Sequence, residues 1–179
     1  CIEFVEKDLF FMNALEGEKE LIFTAEMFGT KWKVMVDCLN KERETFTDLK
    51  AIKKIKDKSW CDFSKCYLNP FQKWGYFTQM AIYSEILKRA TNSPVHFEPF
   101  LAVVDKEKYP DKSVVSFVSE EQSLSEFIQP RLDYIEANIT RVLAVKNKDV
   151  KPNKCENCDY CKSAKKLTGT TFYSSFDLY

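Results

Sequence analysis

Residues 21–28 (LIFTAEMF) and 31–39 (KWKVMVDCL) alternate apolar and polar positions and predict two strands joined by a turn at Gly29-Thr30. In the second run Trp32, Val34 and Val36 share one face, and Lys33, Met35 and Asp37 share the other. Residues 44–52 (ETFTDLKAI) predict a third strand with Phe46, Asp48 and Lys50 on one face. An antiparallel meander then carries Asp37, Asp48 and Lys50 on adjacent strands. Residues 53–70, rich in Lys, Asp and Ser, predict an irregular connector with room for a short helix. From residue 71 the period changes. Phe71, Trp74, Phe77, Ala81, Ile82 and Ile86 fall at helical spacing over 71–91, with Pro70 just ahead of the first turn. Residues 97–104 and 114–118 predict two more strands around Tyr109-Pro110-Asp111. Residues 120–146 predict a second long helix, burying Leu124, Phe127, Leu132 and Val142 and kinked or split by Pro130. Three strands, a helix, two strands and a helix make an α/β (α+β) fold, a mixed central β-sheet flanked by helices.

A length of 179 residues, 45% of them hydrophobic, fits a single domain over 1–179 with a real core. Residues 147–179 read as a basic, cysteine-bearing tail packed on it. The chain starts at Cys1, so the expectation is that a natural N-terminal part is missing. Lys+Arg 27 against Asp+Glu 27 leaves no net charge, which excludes a bulk polycation and makes any electrostatic recognition local. No apolar run approaches the roughly 18–20 residues of a membrane span, and no signal peptide is visible. The expected place is the bacterial cytoplasm, with no membrane partner.

Asp37 and Asp48 on paired strands repel each other unless a hard cation lies between them. Mg²⁺ takes oxygen ligands and typically one or two carboxylates plus substrate phosphate. A lysine beside such a pair can orient an attacking water and stabilise charge developing on a scissile phosphate. Asp48-Leu49-Lys50 supplies that lysine two residues from the carboxylate. Alone the triplet is common on half-exposed strands. Its place inside a strand, with Asp37 on the strand before and a helix after, is what lifts it.

Asp37, Asp48-Leu49-Lys50 and Gln79-Met80-Ala81-Ile82-Tyr83 together resemble the PD-(D/E)XK nuclease superfamily, and within it the exodeoxyribonuclease VIII (RecE-like) and phage-type exonucleases. The resemblance runs from about residue 15 to 168 and includes Phe28-Gly29-Thr30-Lys31-Trp32-Lys33. It implies a restriction-endonuclease-like core and a metal-dependent exonuclease that resects linear duplex DNA for recombination. By the resemblance, Asp37, Asp48 and the main-chain carbonyl of Leu49 ligate Mg²⁺ or Mn²⁺. Lys50 positions the water, and Gln79 and Tyr83, one helical turn apart, line the site. It further implies duplex DNA ends as substrate, a ring-shaped homo-oligomer, a single-strand annealing recombinase as partner, and a phage or prophage origin. Relatives carry a His upstream of the first Asp. The lone histidine here, His96, follows the motifs and reads as a strand-edge residue, leaving Glu20 as the upstream acidic candidate. Two alternatives stay open: an inactive nuclease-fold DNA-binding protein, and an iron–sulfur nuclease.

Seven cysteines, an odd number, argue against a disulfide framework. Cys155, Cys158 and Cys161 form a CxxCxxC run that fits an iron–sulfur cluster, a zinc site, or a reduced turn; Cys1, Cys61 or Cys66 are candidate fourth ligands. Lys53, Lys54, Lys56 and Lys58 crowd one segment, and Lys146 to Lys166 the tail, as candidate phosphate-tracking surfaces. Of Trp60, Phe63 and Tyr67, two are expected in the core and one free to stack on bases.

Overall fold

The first hairpin is β1 (Glu18–Met27) and β2 (Thr30–Asn40), paired from Met27↔Thr30 to Glu18↔Leu39. The turn is Phe28-Gly29, one residue earlier than the sequence suggests. Both residues have positive φ, 52° and 72°. That is the type I′ requirement, which places Gly at the second turn position and leaves Thr30 free to open β2. The computed structural model describes residues 2–61, 64–119, 121–156, 158–170 and 172–173. Cys1 and Phe63 lie outside the described residues.

β3 (Thr45–Ile52), β6 (Glu98–Asp105) and β7 (Lys112–Ser116) complete a five-stranded sheet in the order β1-β2-β3-β6-β7. Only the β3–β6 pair is parallel. Between these two strands the chain makes a two-stranded sheet, β4 (Ser59–Cys61) with β5 (Cys66–Leu68), where the sequence suggested an irregular connector. The expected 71–91 helix is two helices. α3 (Pro70–Lys73) opens with a capping box: Asn69 Oδ1 accepts the Gln72 N–H, and Gln72 Oε1 accepts the Asn69 N–H. Gly75, at φ 68°, then breaks the helix before α4 (Tyr76–Thr91). Trp74 falls in that break and is mostly exposed, not part of the buried stripe.

The core lies between α4 and one face of the sheet. Met80, Ala81, Ile86 and Leu87 are fully buried against Val34, Val36, Phe46 and Leu101. α5 (Leu124–Lys146) covers the same core through Phe127, Ile128, Leu132 and Ile135. Pro130 neither ends nor splits it. Apolar anchors on both sides of the proline hold the turn that has lost one hydrogen bond. Val142, expected on the buried face, is exposed.

The N-terminal residues, for which the pattern predicted nothing, form α1 (Ile2–Glu6) and α2 (Leu9–Ala14), the latter capped by Asp8 Oδ1 accepting the Phe11 N–H at 3.0 Å. The chain divides into two compact units, Cys1–Val142 and Leu143–Tyr179. The second contains α6 (Asp159–Ser163) and begins just before the tail expected from residue 147. No helix among the described residues is long and apolar enough to cross a membrane.

Candidate active site

β1 and β2 pair from end to end except at Glu20 and Asp37, but β2 and β3 pair at only three positions, Cys38↔Thr47, Leu39↔Phe46 and Asn40↔Thr45. Beyond Cys38 and Thr47 the two strands part. Asp37 and Asp48 are the first residues past that fork, one on each prong. The alternation of β2 also slips there. Val36 and Leu39 both face the core, whereas Asp37 and Cys38 both line a cavity on the other face. Glu20, across from Asp37 on β1, sits at φ 53° and is absent from the ladder. The local distortion points Asp37 at the fork.

Asp37 Oδ2 accepts the Leu49 N–H at 2.8 Å, standing in for the ladder partner that β2 no longer provides. In extended backbone the N–H and C=O of one residue face the same strand edge. The Leu49 carbonyl therefore points into the gap as well. Asp37, Leu49 and Glu20 line one cavity of about 360 Å³ with Leu15, Lys19 and Cys38. The cavity is walled by the end of α2: the Cys38 Sγ–H donates to the Leu15 and Glu16 carbonyls, and Thr47 Oγ1 donates to the Ala14 carbonyl at 2.6 Å.

Asp48 lies on the opposite face, 2% exposed, beside α4. Gln79 Nε2 donates to its Oδ1 at 3.3 Å, and Lys50 Nζ stands 2.5 Å from its Oδ2. Apart from that ion pair, Oδ2 is a buried acceptor with no further hydrogen-bond partner among the described residues. Burial pushes the Asp48 carboxyl above its ordinary range; the Lys50 ammonium opposes this and the nearby Asp37 charge adds to it. Burial acts to lower the Lys50 pKa, but Asp48, Asp37 and the Tyr76 ring oxygen outweigh it and hold it raised. Lys50 is thus an ammonium at neutral pH.

Tyr76 is a site residue that the motif reading missed. Its ring lies 5.7 Å from Lys50 Nζ, and burial, opposed by Lys50 and assisted by Asp48, raises its pKa. Its spacing from Gln79 is the signal that was there to read, since residues three apart share a helix face. Tyr83 extends that face but packs on the core, its ring centroid 6.3 Å from that of Phe46. His96 precedes β6 and is engaged by Glu85, Nε2 to Oε2 at 2.7 Å, in a cluster with Arg89.

The donors at the fork are two carboxylates and one main-chain carbonyl, a hard oxygen set suited to Mg²⁺ or Mn²⁺. Asp48 Oδ2, buried and held only by the Lys50 ammonium, fits such an ion. Glu20 lines the cavity, yet among the described residues the acidic side chains do not gather into a tight group of three. The one such group is Cys155, Cys158 and Cys161.

A model of the family described as "PDDEXK-like domain of unknown function (DUF3799)" matches residues 1–164. The chain belongs to this PDDEXK-like family. A solved structure from Eubacterium rectale, described as a "Putative exonuclease", is 32% identical with a TM-score of 0.79. The similarity covers 98% of this chain and 62% of that one, so the chain spans less than two thirds of its relative's length. No curated protein matches. The mixed five-stranded sheet flanked by helices is a nuclease-like fold, as the resemblance implied.

The basic and aromatic stretches divide differently from expectation. Lys54 and Lys56 pair with Glu107 and Asp111 at 3.2 and 3.4 Å. Trp60 and Tyr67 are both exposed on the β4–β5 hairpin and stack edge-on at 5.3 Å, so neither belongs to the core. A three-residue hairpin has no sheet behind it to cover its rings.

Proposed function

We propose that this domain is a divalent-metal-dependent deoxyribonuclease, and that it resects linear double-stranded DNA in the manner of RecE-like and phage-type exonucleases. The observation that carries this reading is the fork itself: Asp37 and Asp48 are the first residues past the point where β2 and β3 part, Asp37 Oδ2 accepts the Leu49 N–H, and Lys50 is paired to Asp48. Mg²⁺ or Mn²⁺, when bound, would supply Lewis acidity toward the phosphodiester. Asp37, Asp48 and the Leu49 carbonyl would hold it. Lys50 would orient the attacking water and stabilise the phosphate charge that develops. Gln79 holds Asp48 in register from α4. Tyr83 supports that face of α4 through Phe46. The same reading carries duplex ends as substrate, a ring-shaped homo-oligomer, an annealing recombinase as partner, and a phage or prophage gene working in the bacterial cytoplasm.

A second reading, a nuclease fold that binds DNA without cutting it, is favoured by one observation. The fork has no compact third acidic or histidine ligand among the described residues. Incubation of the full-length protein with linear and closed-circular duplexes, with Mg²⁺ or Mn²⁺, separates the two. Degradation of the linear form alone, lost in Asp48→Asn, supports the exonuclease. Binding without cleavage in either metal supports the second reading.

A further inference from the structure

The cysteines of the second unit play no part in the nuclease reading, yet they form a built site. The sulfurs of Cys155, Cys158 and Cys161 lie within 4.8 Å of one another. The Cys158 N–H donates to Cys155 Sγ at 3.3 Å and the Cys161 N–H to Cys158 Sγ at 3.4 Å. Glu156 adopts φ 63° to turn the chain between the first two cysteines, and Cys158 caps α6. Left-handed backbone at a residue with a Cβ costs about 1–2 kcal/mol, so the turn is held against a local penalty.

The sulfur spacing distinguishes the candidate groups. Cys155 Sγ–H donates to Cys161 Sγ at 3.8 Å, so the two sulfurs already stand in contact as thiols. A disulfide needs about 2.05 Å. A tetrahedral ion with metal–sulfur bonds of about 2.3 Å sets its sulfurs about 3.8 Å apart. In a four-iron cluster each thiolate takes its own iron, which spreads the sulfurs farther. Other cohesion is sparse among the unit's described residues. Most of these are exposed, of the three cysteines only Cys161 is shielded from solvent, and the one helix described beyond the end of α5 has 5 residues. A segment with so little core needs a covalent or metal staple.

We propose that Cys155, Cys158 and Cys161 bind a single Zn²⁺ ion that folds residues 155–163, with the fourth corner of the tetrahedron left to a further donor. Thiolates select zinc, and the oxygen donors of the fork select Mg²⁺ or Mn²⁺, so the two sites take different metals.

Full-length protein loaded with Zn²⁺ and dialysed into metal-free buffer should retain about one equivalent of zinc by elemental analysis. Cys155→Ser and Cys158→Ser should each lower it roughly fivefold or more, and Asp48→Asn should leave it unchanged. Co²⁺ in place of zinc should show sulfur-to-metal charge-transfer bands and tetrahedral ligand-field bands. Should the serine variants not fold, the unsubstituted chain decides: zinc should protect Cys155, Cys158 and Cys161 from iodoacetamide, and a chelator should remove that protection. The proposal is overturned by zinc retention below about a tenth of an equivalent, or by zinc that depends on Asp48 and not on the cysteines. Labelling that ignores zinc overturns it too, as do iron and acid-labile sulfide in anaerobically purified protein.

Discussion

Asp48 and Asp105 are both buried aspartates, 2% and 1% exposed, on the neighbouring parallel strands β3 and β6. Asp105 accepts backbone N–H groups from Asp111 at 2.9 Å, Ile55 at 3.3 Å and Glu107 at 3.4 Å. The Asp111 amide and its companions hold its pKa below the ordinary value despite burial. Asp48 has a side-chain amide, one paired ammonium and an acidic neighbour, and its pKa is raised. Equally low exposure therefore goes with opposite electrostatics, because loss of solvent dominates at Asp48 and the Asp111 amide dominates at Asp105. The carboxylate supplied with backbone amides clamps two loops, and the one with fewer donors has room for a cation.

The sharpest way to break this comparison is to make the same substitution at both positions. Asp48→Asn should lower nuclease turnover by roughly three orders of magnitude. In metal-free protein it should move the thermal midpoint little, because it removes a buried charge that the fold disfavours but also takes the counter-ion from Lys50. Asp105→Asn should do the reverse, lowering the midpoint by several degrees while the folded fraction cuts DNA normally. Thermal melts and single-turnover cleavage of both variants check the pair. A large loss of stability in Asp48→Asn with Asp105→Asn unaffected would invert the assignment. Next in size, Lys50→Ala should cost roughly a hundredfold and Gln79→Ala roughly tenfold in turnover, Lys50 acting on the phosphate and Gln79 only through Asp48.

Stability against pH gives a smaller effect with a definite sign. The Asp105 pKa is lowered from 3.8, so its contribution is fully present above that value and is lost as pH falls through the folded pKa. The Asp48 pKa is raised from 3.8, so the wild-type chain loses stability as pH rises from there through the folded value. Relative to wild type, Asp105→Asn should look worst near neutrality and recover in acid. Asp48→Asn should gain on wild type over the same rise. Urea midpoints taken from about pH 2 to 7 check both slopes.

Local pattern was enough to place Asp37, Asp48 and Lys50 on adjacent strands, because strand alternation is a property of a few consecutive residues; Gln79 was singled out only by the family resemblance. The fork was not legible. How far β2 and β3 stay paired depends on the whole sheet and on α2 walling the cavity from the N-terminal side. The Phe28-Gly29 turn was read one residue late because the rule fixes Gly's need for positive φ, not which turn position it fills. Gly75 and its exposed neighbour Trp74 were absorbed into a helix because the apolar spacing continues through them. Asp105 was passed over because its partners are loop amides at Ile55, Glu107 and Asp111, invisible in the strand that carries it. The Cys155, Cys158 and Cys161 run was plain in the sequence, but only the sulfur spacing separates one ion from a cluster.

Apolar surface that the fold leaves exposed offers a parallel case. Trp60 and Tyr67 are 50% and 67% exposed and touch each other edge-on across the β4–β5 pair. An exposed aromatic pair of this kind stabilises a hairpin by only about 0.5–1.5 kcal/mol. Stacking of a base on an aromatic side chain is worth about 1–3 kcal/mol. If the hairpin serves DNA, Trp60→Ala should therefore weaken binding of a duplex carrying a single-stranded end by roughly fivefold or more, while the thermal midpoint moves little. If it serves only itself, the midpoint falls and the affinity per folded molecule does not. Fluorescence anisotropy with that DNA, alongside melts of Trp60→Ala and Tyr67→Ala, tells the two apart. The blunt duplex serves as the internal control, because it offers no unpaired base to stack.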